Sequence, residues 1–176
     1  MIPEKISREI IYECEWVSLY ADKVRFPDGS ILDKYHFTHH DNEAVGIVVQ
    51  NEKEEVLLIK SNRYISQSVE WEIPAGRVEK GEHSVDAAIR ETFEETGYEI
   101  IDPKLVYRYN PSNGSSDQVF LIYKATAGKK IGKFDTNEVS DIKWVSKEVV
   151  AEMLKNNEIN CGFSLTGLML VLFCGL

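Results

Sequence analysis

The segment Gly76–Tyr98, GRVEKGEHSVDAAIRETFEETGY, constrains this chain more than any other stretch. Read at the helical period, Val85, Ala88, Ile89, Thr92, Phe93 and Thr96 recur at the i, i+3, i+4 spacing of a buried helical face. Glu91 and Glu95, four apart, then stack one turn above each other on a different face, with Glu94 beside them. Like charges at that spacing repel and weaken an isolated helix. A cation would offset the repulsion. Carboxylate oxygens without a neighbouring Cys or His suit a hard divalent ion such as Mg²⁺ or Mn²⁺. A solvated acidic face is the plainer reading of such a cluster taken alone.

The flanks carry their own signals. Gly76, after Pro74-Ala75, suits a tight loop where backbone approaches a ligand or takes positive φ. Glu82, Asp86 and Arg90 follow at four-residue steps, so Arg90 is expected to brace the helix against its preceding loop by charge pairing. Gly97 stands where a left-handed C-terminal cap belongs.

The order Gly76, Glu82, Arg90-Glu91-Thr92, Glu94-Glu95, Gly97-Tyr98 reproduces the signature of the Nudix hydrolases, and the chain resembles that family. Thr92 and Tyr98 stand where the family more often has an aliphatic residue. The resemblance implies an α/β Nudix fold, a mixed β-sheet sandwiched between helices. It also implies Mg²⁺ (or Mn²⁺) held by Glu91, Glu95 and the carbonyl of Ala75, with Glu94 as a further catalytic carboxylate. A water-activating base is needed; the candidates are Glu138, Asp135 and Glu94, and Glu138 fits best by resemblance.

Beyond the signature, the chain resembles the ADP-ribose pyrophosphatase branch. Arg63 lies thirteen residues before Gly76, and Glu72-Ile73-Pro74-Ala75-Gly76 follows, as in that branch. Asn110-Pro111-Ser112-Asn113-Gly114 is similar to its Pro-containing loop. The implied activity is hydrolysis of a nucleoside diphosphate linked to a second moiety, ADP-ribose giving AMP and ribose 5-phosphate, with Arg63 and Glu72 at the substrate. Sugar nucleotides of the GDP-mannose type, dinucleoside polyphosphates and a nucleotide-sensing module without turnover are the alternatives. Departures fall at Ser61-Asn62 and Asp117-Gln118, so they touch substrate contacts rather than the acidic cluster.

Composition agrees with a small enzyme. The 176 residues suit one core, and a net charge of −9 argues against a nucleic-acid partner. Cys14, Cys161 and Cys174 form no CxxC pair, which suggests free thiols and a cytoplasmic location. The apolar run from Cys161 to Leu176 is short for a membrane span and is broken by three glycines, so a docked terminal helix is expected.

Strands are expected at Ile6–Glu13, Val17–Phe26 and Ile31–Thr38, with a turn at Pro27–Ser30. Ala44–Gln50 and Val56–Lys60 read as a second hairpin. Leu105–Tyr109, Val119–Ala125 and Ile142–Val145 read as later strands, and Lys147–Asn156 as a helix capped by Ser146. Residues 1–40 are expected to form an N-terminal β-hairpin extension that pairs two copies in a homodimer, and 41–176 the hydrolase domain. Tyr64, Trp71 and Tyr109 offer rings for a base, but burial is the better reading of each. His36, His39 and His40 read as a strand-end cluster rather than a ligand set.

Overall fold

A computed structural model describes residues Met1–Leu176. The chain divides into two compact units.

The first comprises Met1–Glu43 with Asn110–Val119. It is a three-stranded antiparallel meander of β1 (Glu4–Glu13), β2 (Ser18–Arg25) and β3 (Ile31–His39), one strand more than a hairpin. Gly29 turns β2 into β3 at φ 87°, the left-handed conformation glycine takes most easily. Arg8 on β1 bonds both carboxylate oxygens of Asp22 on β2, holding that carboxyl below the usual range, and stacks over Tyr20. The loop after Tyr109 joins this unit. Tyr35 donates to the Gly114 carbonyl, and Asp117 accepts from the His40 N–H and pairs with the His39 ring. The departure at Asp117 thus finds a structural use, since that carboxylate fastens the loop to β3.

The second unit holds Ala44–Tyr109 and Phe120–Leu176. Its mixed sheet runs β10 (Val139–Val145), β5 (Val56–Arg63), β4 (Ala44–Gln50), β9 (Phe120–Lys130), β8 (Tyr98–Tyr109), and only the β4–β9 pairing is parallel. β6 (Ser68–Glu72) extends β5, and β7 (Ala75–Arg77) lies on β4. The expected hairpin of β4 and β5 closes at its turn but opens at once, with a single registered pair, Gln50 and Val56. β4 takes its hydrogen bonds from β9 and β7 instead.

Period-two alternation sorts the sheet's apolar side chains onto two faces. Val48, Val56, Leu58 and Ile122 pack with Val150 and Met153 of α2 (Lys147–Lys155) and with Phe163, Leu168, Val171 and Leu172 of the C-terminal segment. Each such fully buried aliphatic side chain contributes about 1.5–3 kcal/mol. α1 (Ser84–Thr96) covers the other face, where Ser84 bonds the Tyr123 hydroxyl at 2.8 Å. Ser146 caps α2 as expected, accepting from the Val149 N–H. The C-terminal run docks as α3 (Gly162–Leu168) and a π-helical turn, Met169–Phe173. No helix is long and apolar enough to cross a membrane.

Candidate active site

α1 uses a different face from the one its sequence period suggests. Ala87, Ala88, Thr92, Glu95 and Thr96 are buried, whereas Ile89 and Phe93 are exposed. Thr92 and Thr96 satisfy their hydroxyls on the Ala88 and Thr92 carbonyls one turn back, so small polar residues fit against the sheet. The rotation carries Glu95 inward. Its carboxylate is 7% exposed and accepts a 2.8 Å bond from the Ala75 N–H on β7. Gly97 ends α1 in the left-handed conformation at φ 73°.

Glu91, one turn earlier, lies against Gly76. A Cβ at that position would stand 2.0 Å from the Glu91 carboxyl carbon, so a larger residue would push that carboxylate aside. The need at Gly76 is close contact, not positive φ. Burial pushes the Glu91 carboxyl above its usual pKa against the pull of Arg90, with Glu94 and Glu138 adding to the rise. Burial lifts Glu95 further, to about 8, although the Ala75 N–H opposes it; Glu91 and Glu138 contribute. Glu138 therefore acts electrostatically on both helix carboxylates from 43 to 47 residues away in the chain.

Its position follows from how its loop is tied. Ile131 and Gly132 donate to the Gly97 carbonyl, Asp135 to the Glu94 carbonyl, and the Glu138 carbonyl accepts from Asn62 on β5. Asp135 itself turns its carboxylate to Asn137. The loop that carries Glu138 is thus stitched to the C-terminal end of α1 and to β5.

Arg90 behaves as the expected brace. All five of its N–H groups are engaged: by the two Glu82 oxygens and the Arg77 carbonyl at 3.0 Å, by Glu91 at 2.7 Å and by Glu94 at 3.2 Å. Glu82 is held below its usual range by that bond. Glu94 is mostly exposed.

Arg63, at the end of β5, makes a two-pronged pair with Glu72 on β6, from Nε at 2.7 Å and from Nη2. The Glu72 carboxylate is 1% exposed while Arg63 is half-exposed. Glu72 thus holds the arginine, and Nη1 lies outside the fork. Arg63, Glu72, Glu95 and Glu138 line one cavity of about 880 Å³, together with Tyr64, Ile65, Asn160 and Cys161. Ala75 adjoins it through its bond to Glu95, whereas Glu91, which lies against Gly76, is outside that lining. Sequence reasoning did not anticipate Asn160 and Cys161; they arrive from the start of α3 with no local signal. Tyr64 corrects the expectation of burial, its residue being 87% exposed. Trp71 packs partly against the core with Lys143 over its ring, and Tyr109 against Phe120 and Phe163. The three cysteines are free thiols.

The donor set fits a hard divalent cation held in part by the protein. Glu91 and Glu95 offer oxygen ligands in a desolvated wall, and the Ala75 carbonyl belongs to the residue that bonds Glu95. No three acidic, His or Cys side chains converge into a ready cage. That is the pattern expected where one or two carboxylates share the ion with water and with substrate phosphates.

Similarity to known proteins agrees with this geometry. The chain is 28% identical over 167 residues to a CMP-5'-(N-acetyl-N-hydroxy-3-aminopropyl)phosphonate hydrolase of Streptomyces rubellomurinus, covering 94% of this chain and 80% of that protein. It is 27% identical over 157 residues to an ADP-ribose pyrophosphatase of Bacillus subtilis, covering 88% and 84%. The crystal structure of an ADP compounds hydrolase superimposes with a TM-score of 0.85 at 20% identity, over 97% of this chain and 92% of that one, and shares the fold. The NUDIX domain family matches residues 40–161, spanning the acidic helix, the Arg63–Glu72 pair and Glu138, and the chain belongs to the Nudix hydrolase family.

Proposed function

We propose that this enzyme hydrolyses, with a divalent cation, the phosphoanhydride of a nucleoside monophosphate joined to a second phosphorus-bearing group, with ADP-ribose as the leading substrate. The observation that carries the reading is one cavity wall combining Arg63 with the buried Glu95 and with Glu138. The two relatives' names support the coarser class: ADP-ribose and a CMP-linked phosphonate share a nucleoside monophosphate and differ in base and in partner group.

Glu91, Glu95 and the Ala75 carbonyl would hold the cation, which when bound would supply charge neutralisation and Lewis acidity at phosphorus. Arg63, its Nε–Nη2 edge held by Glu72, offers Nη1 as a fixed cationic donor for a phosphate oxygen. Glu138 is the base of this reading: it accepts a proton from the attacking water. The water oxygen forms a new bond to one phosphorus, the bridging P–O bond breaks, and the released phosphate leaves with the bond's electron pair. ADP-ribose plus water gives AMP plus ribose 5-phosphate. Arg90, with its five N–H groups engaged, holds Glu91 and the loop rather than substrate.

The test is a turnover panel in Mg²⁺ and in Mn²⁺ over ADP-ribose, a CMP-linked phosphonate, GDP-mannose and a dinucleoside polyphosphate, read by chromatography of the products. Nucleoside monophosphate release from ADP-ribose, lost on chelation, is expected; a panel without turnover would refute the reading. The same proposal assigns residues 1–40 to pairing of two copies. In support, every residue of β1 is exposed, Ile10 and Tyr12 each at 58%. A monomer in sedimentation at micromolar concentration counts against that assignment.

A further inference from the structure

The turn from β5 to β6 places two large apolar side chains in solvent beside a charged cavity. Tyr64 is 87% exposed and Ile65 95% exposed, and both line the cavity that holds Arg63, Glu95 and Glu138. Tyr64 is the one aromatic residue of that lining. Isolated exposed apolar residues are ordinary on protein surfaces. An adjacent pair on a cavity rim is a different matter, because the remaining turn positions, Ser66 and Gln67, are polar.

The backbone beneath them is shaped locally. Gln67 takes φ 51° and its side-chain amide donates to the Tyr64 carbonyl at 2.5 Å, while the Ser66 and Ser68 hydroxyls bond at 2.6 Å. The turn therefore holds its own form and does not need the Tyr64 ring for packing. Tyr64 also follows Arg63 directly, and the Arg63 guanidinium is anchored by Glu72. A phosphate met by Arg63 would leave the organic end of the same molecule within reach of the next residue's ring.

We propose that Tyr64, with Ile65 beside it, is the stacking platform for the aromatic base of the nucleotide. The inference rests on the nucleotide reading above and deepens it by naming a base-binding residue. A π-face accepts any base, so this platform is compatible with the adenine and cytosine of the two relatives' named substrates. Glu70, whose carboxylate lines the same cavity and is bonded by the Ser68 hydroxyl, provides an acceptor for the exocyclic amino group that these two bases share.

The products of the proposed reaction separate base binding from phosphate binding, since AMP carries a base and ribose 5-phosphate does not. Calorimetry in the presence of Mg²⁺ measures both ligands on wild type, Tyr64→Ala, Tyr64→Phe and Tyr64→Trp. Tyr64→Ala is expected to weaken AMP about tenfold, within the range of stacking on one ring, and to leave ribose 5-phosphate unchanged. Tyr64→Phe and Tyr64→Trp retain AMP binding, because the ring and not the hydroxyl is used. Unchanged melting temperatures establish that the variants fold. AMP affinity untouched by Tyr64→Ala, or an equal loss for both ligands, would overturn the proposal. A wild-type protein that turns over nothing in the substrate panel yet binds AMP through Tyr64 would refute the hydrolytic reading and keep this one.

Discussion

The two arginines of the site use the same chemistry to opposite ends. Arg90 distributes five N–H groups over Glu82, Glu91, Glu94 and a carbonyl, and nothing of it is left for a ligand. Its carboxylates are partly wet, with side-chain exposures of 17%, 14% and 55%. Arg63 commits one edge to a single carboxylate that is 1% exposed and lines the cavity with the rest. An ion pair's role thus depends less on its partners' identity than on which of them is dry and which N–H groups stay uncommitted. Glu95 completes the contrast: it is 7% exposed, and it accepts its hydrogen bond from a backbone N–H and not from a cationic side chain.

The largest effect is expected at that least compensated group. Glu95→Gln keeps the volume and an oxygen for the Ala75 N–H, so the fold persists. Losing one ionic ligand from a metal-assisted site should lower kcat about a thousandfold, roughly 4 kcal/mol of barrier. Wild-type rates in saturating Mg²⁺ would remove Glu95 from the cation site.

Next come the arginines, where the comparison is tested directly. Arg63→Ala strands Glu72 as an unpaired buried carboxylate, at a cost of about 3–5 kcal/mol of stability. The double variant Arg63→Ala/Glu72→Gln removes that charge and should recover most of the stability, while KM stays raised. Denaturant unfolding and steady-state kinetics on wild type and these two variants read both quantities. Recovery of KM in the double variant would make the pair purely structural. Arg90→Ala leaves Glu82, Glu91 and Glu94, each wetter than Glu72, and should cost less, about 1.5–3 kcal/mol, with KM nearly unchanged because Arg90 has no N–H to offer. A large KM effect there would erase the distinction between the two arginines.

The smallest effect lies in the N-terminal unit, where the charged contact is conditional on pH. The bond to Asp117, with Asp41 nearby, raises the His39 pKa above its ordinary value, against burial. A raised folded-state pKa means this stabilisation is fully present below about pH 6.5, the unfolded imidazole value. It is lost as pH rises through the folded value. The contact contributes about 0.2–1 kcal/mol, so melting temperature should fall by roughly 1–3 °C across that window. His39→Gln should flatten this part of the profile; an unaltered slope would assign it to other groups.

Local features were legible in the sequence because a few neighbouring residues decide them. Gly97 ends α1, Ser146 caps α2, and Gly29 turns β2 into β3, each within a turn of its own position. The strand positions in β4, β5 and β9 were legible for the same reason, being apolar runs between breakers. β6 and β7 were not, since five and three residues around Pro74 carry little pattern and exist as strands only through β5 and β4. The buried face of α1 was misread because hydrophobicity favoured Ile89 and Phe93. Close packing against the sheet selected the smaller Ala88, Thr92 and Thr96 instead.

By itself, the sequence determined the family, the acidic helix and the residues able to bear charge, because spacing along one helix is a one-dimensional property. The tertiary structure alone decided which of those charges lose water. The turn of α1 that buries Glu95, the β5–β6 register that dries Glu72 under Arg63, and the stitched loop that delivers Glu138 all bring together groups distant in the chain. Desolvation depends on everything packed around a group, and no local pattern records it.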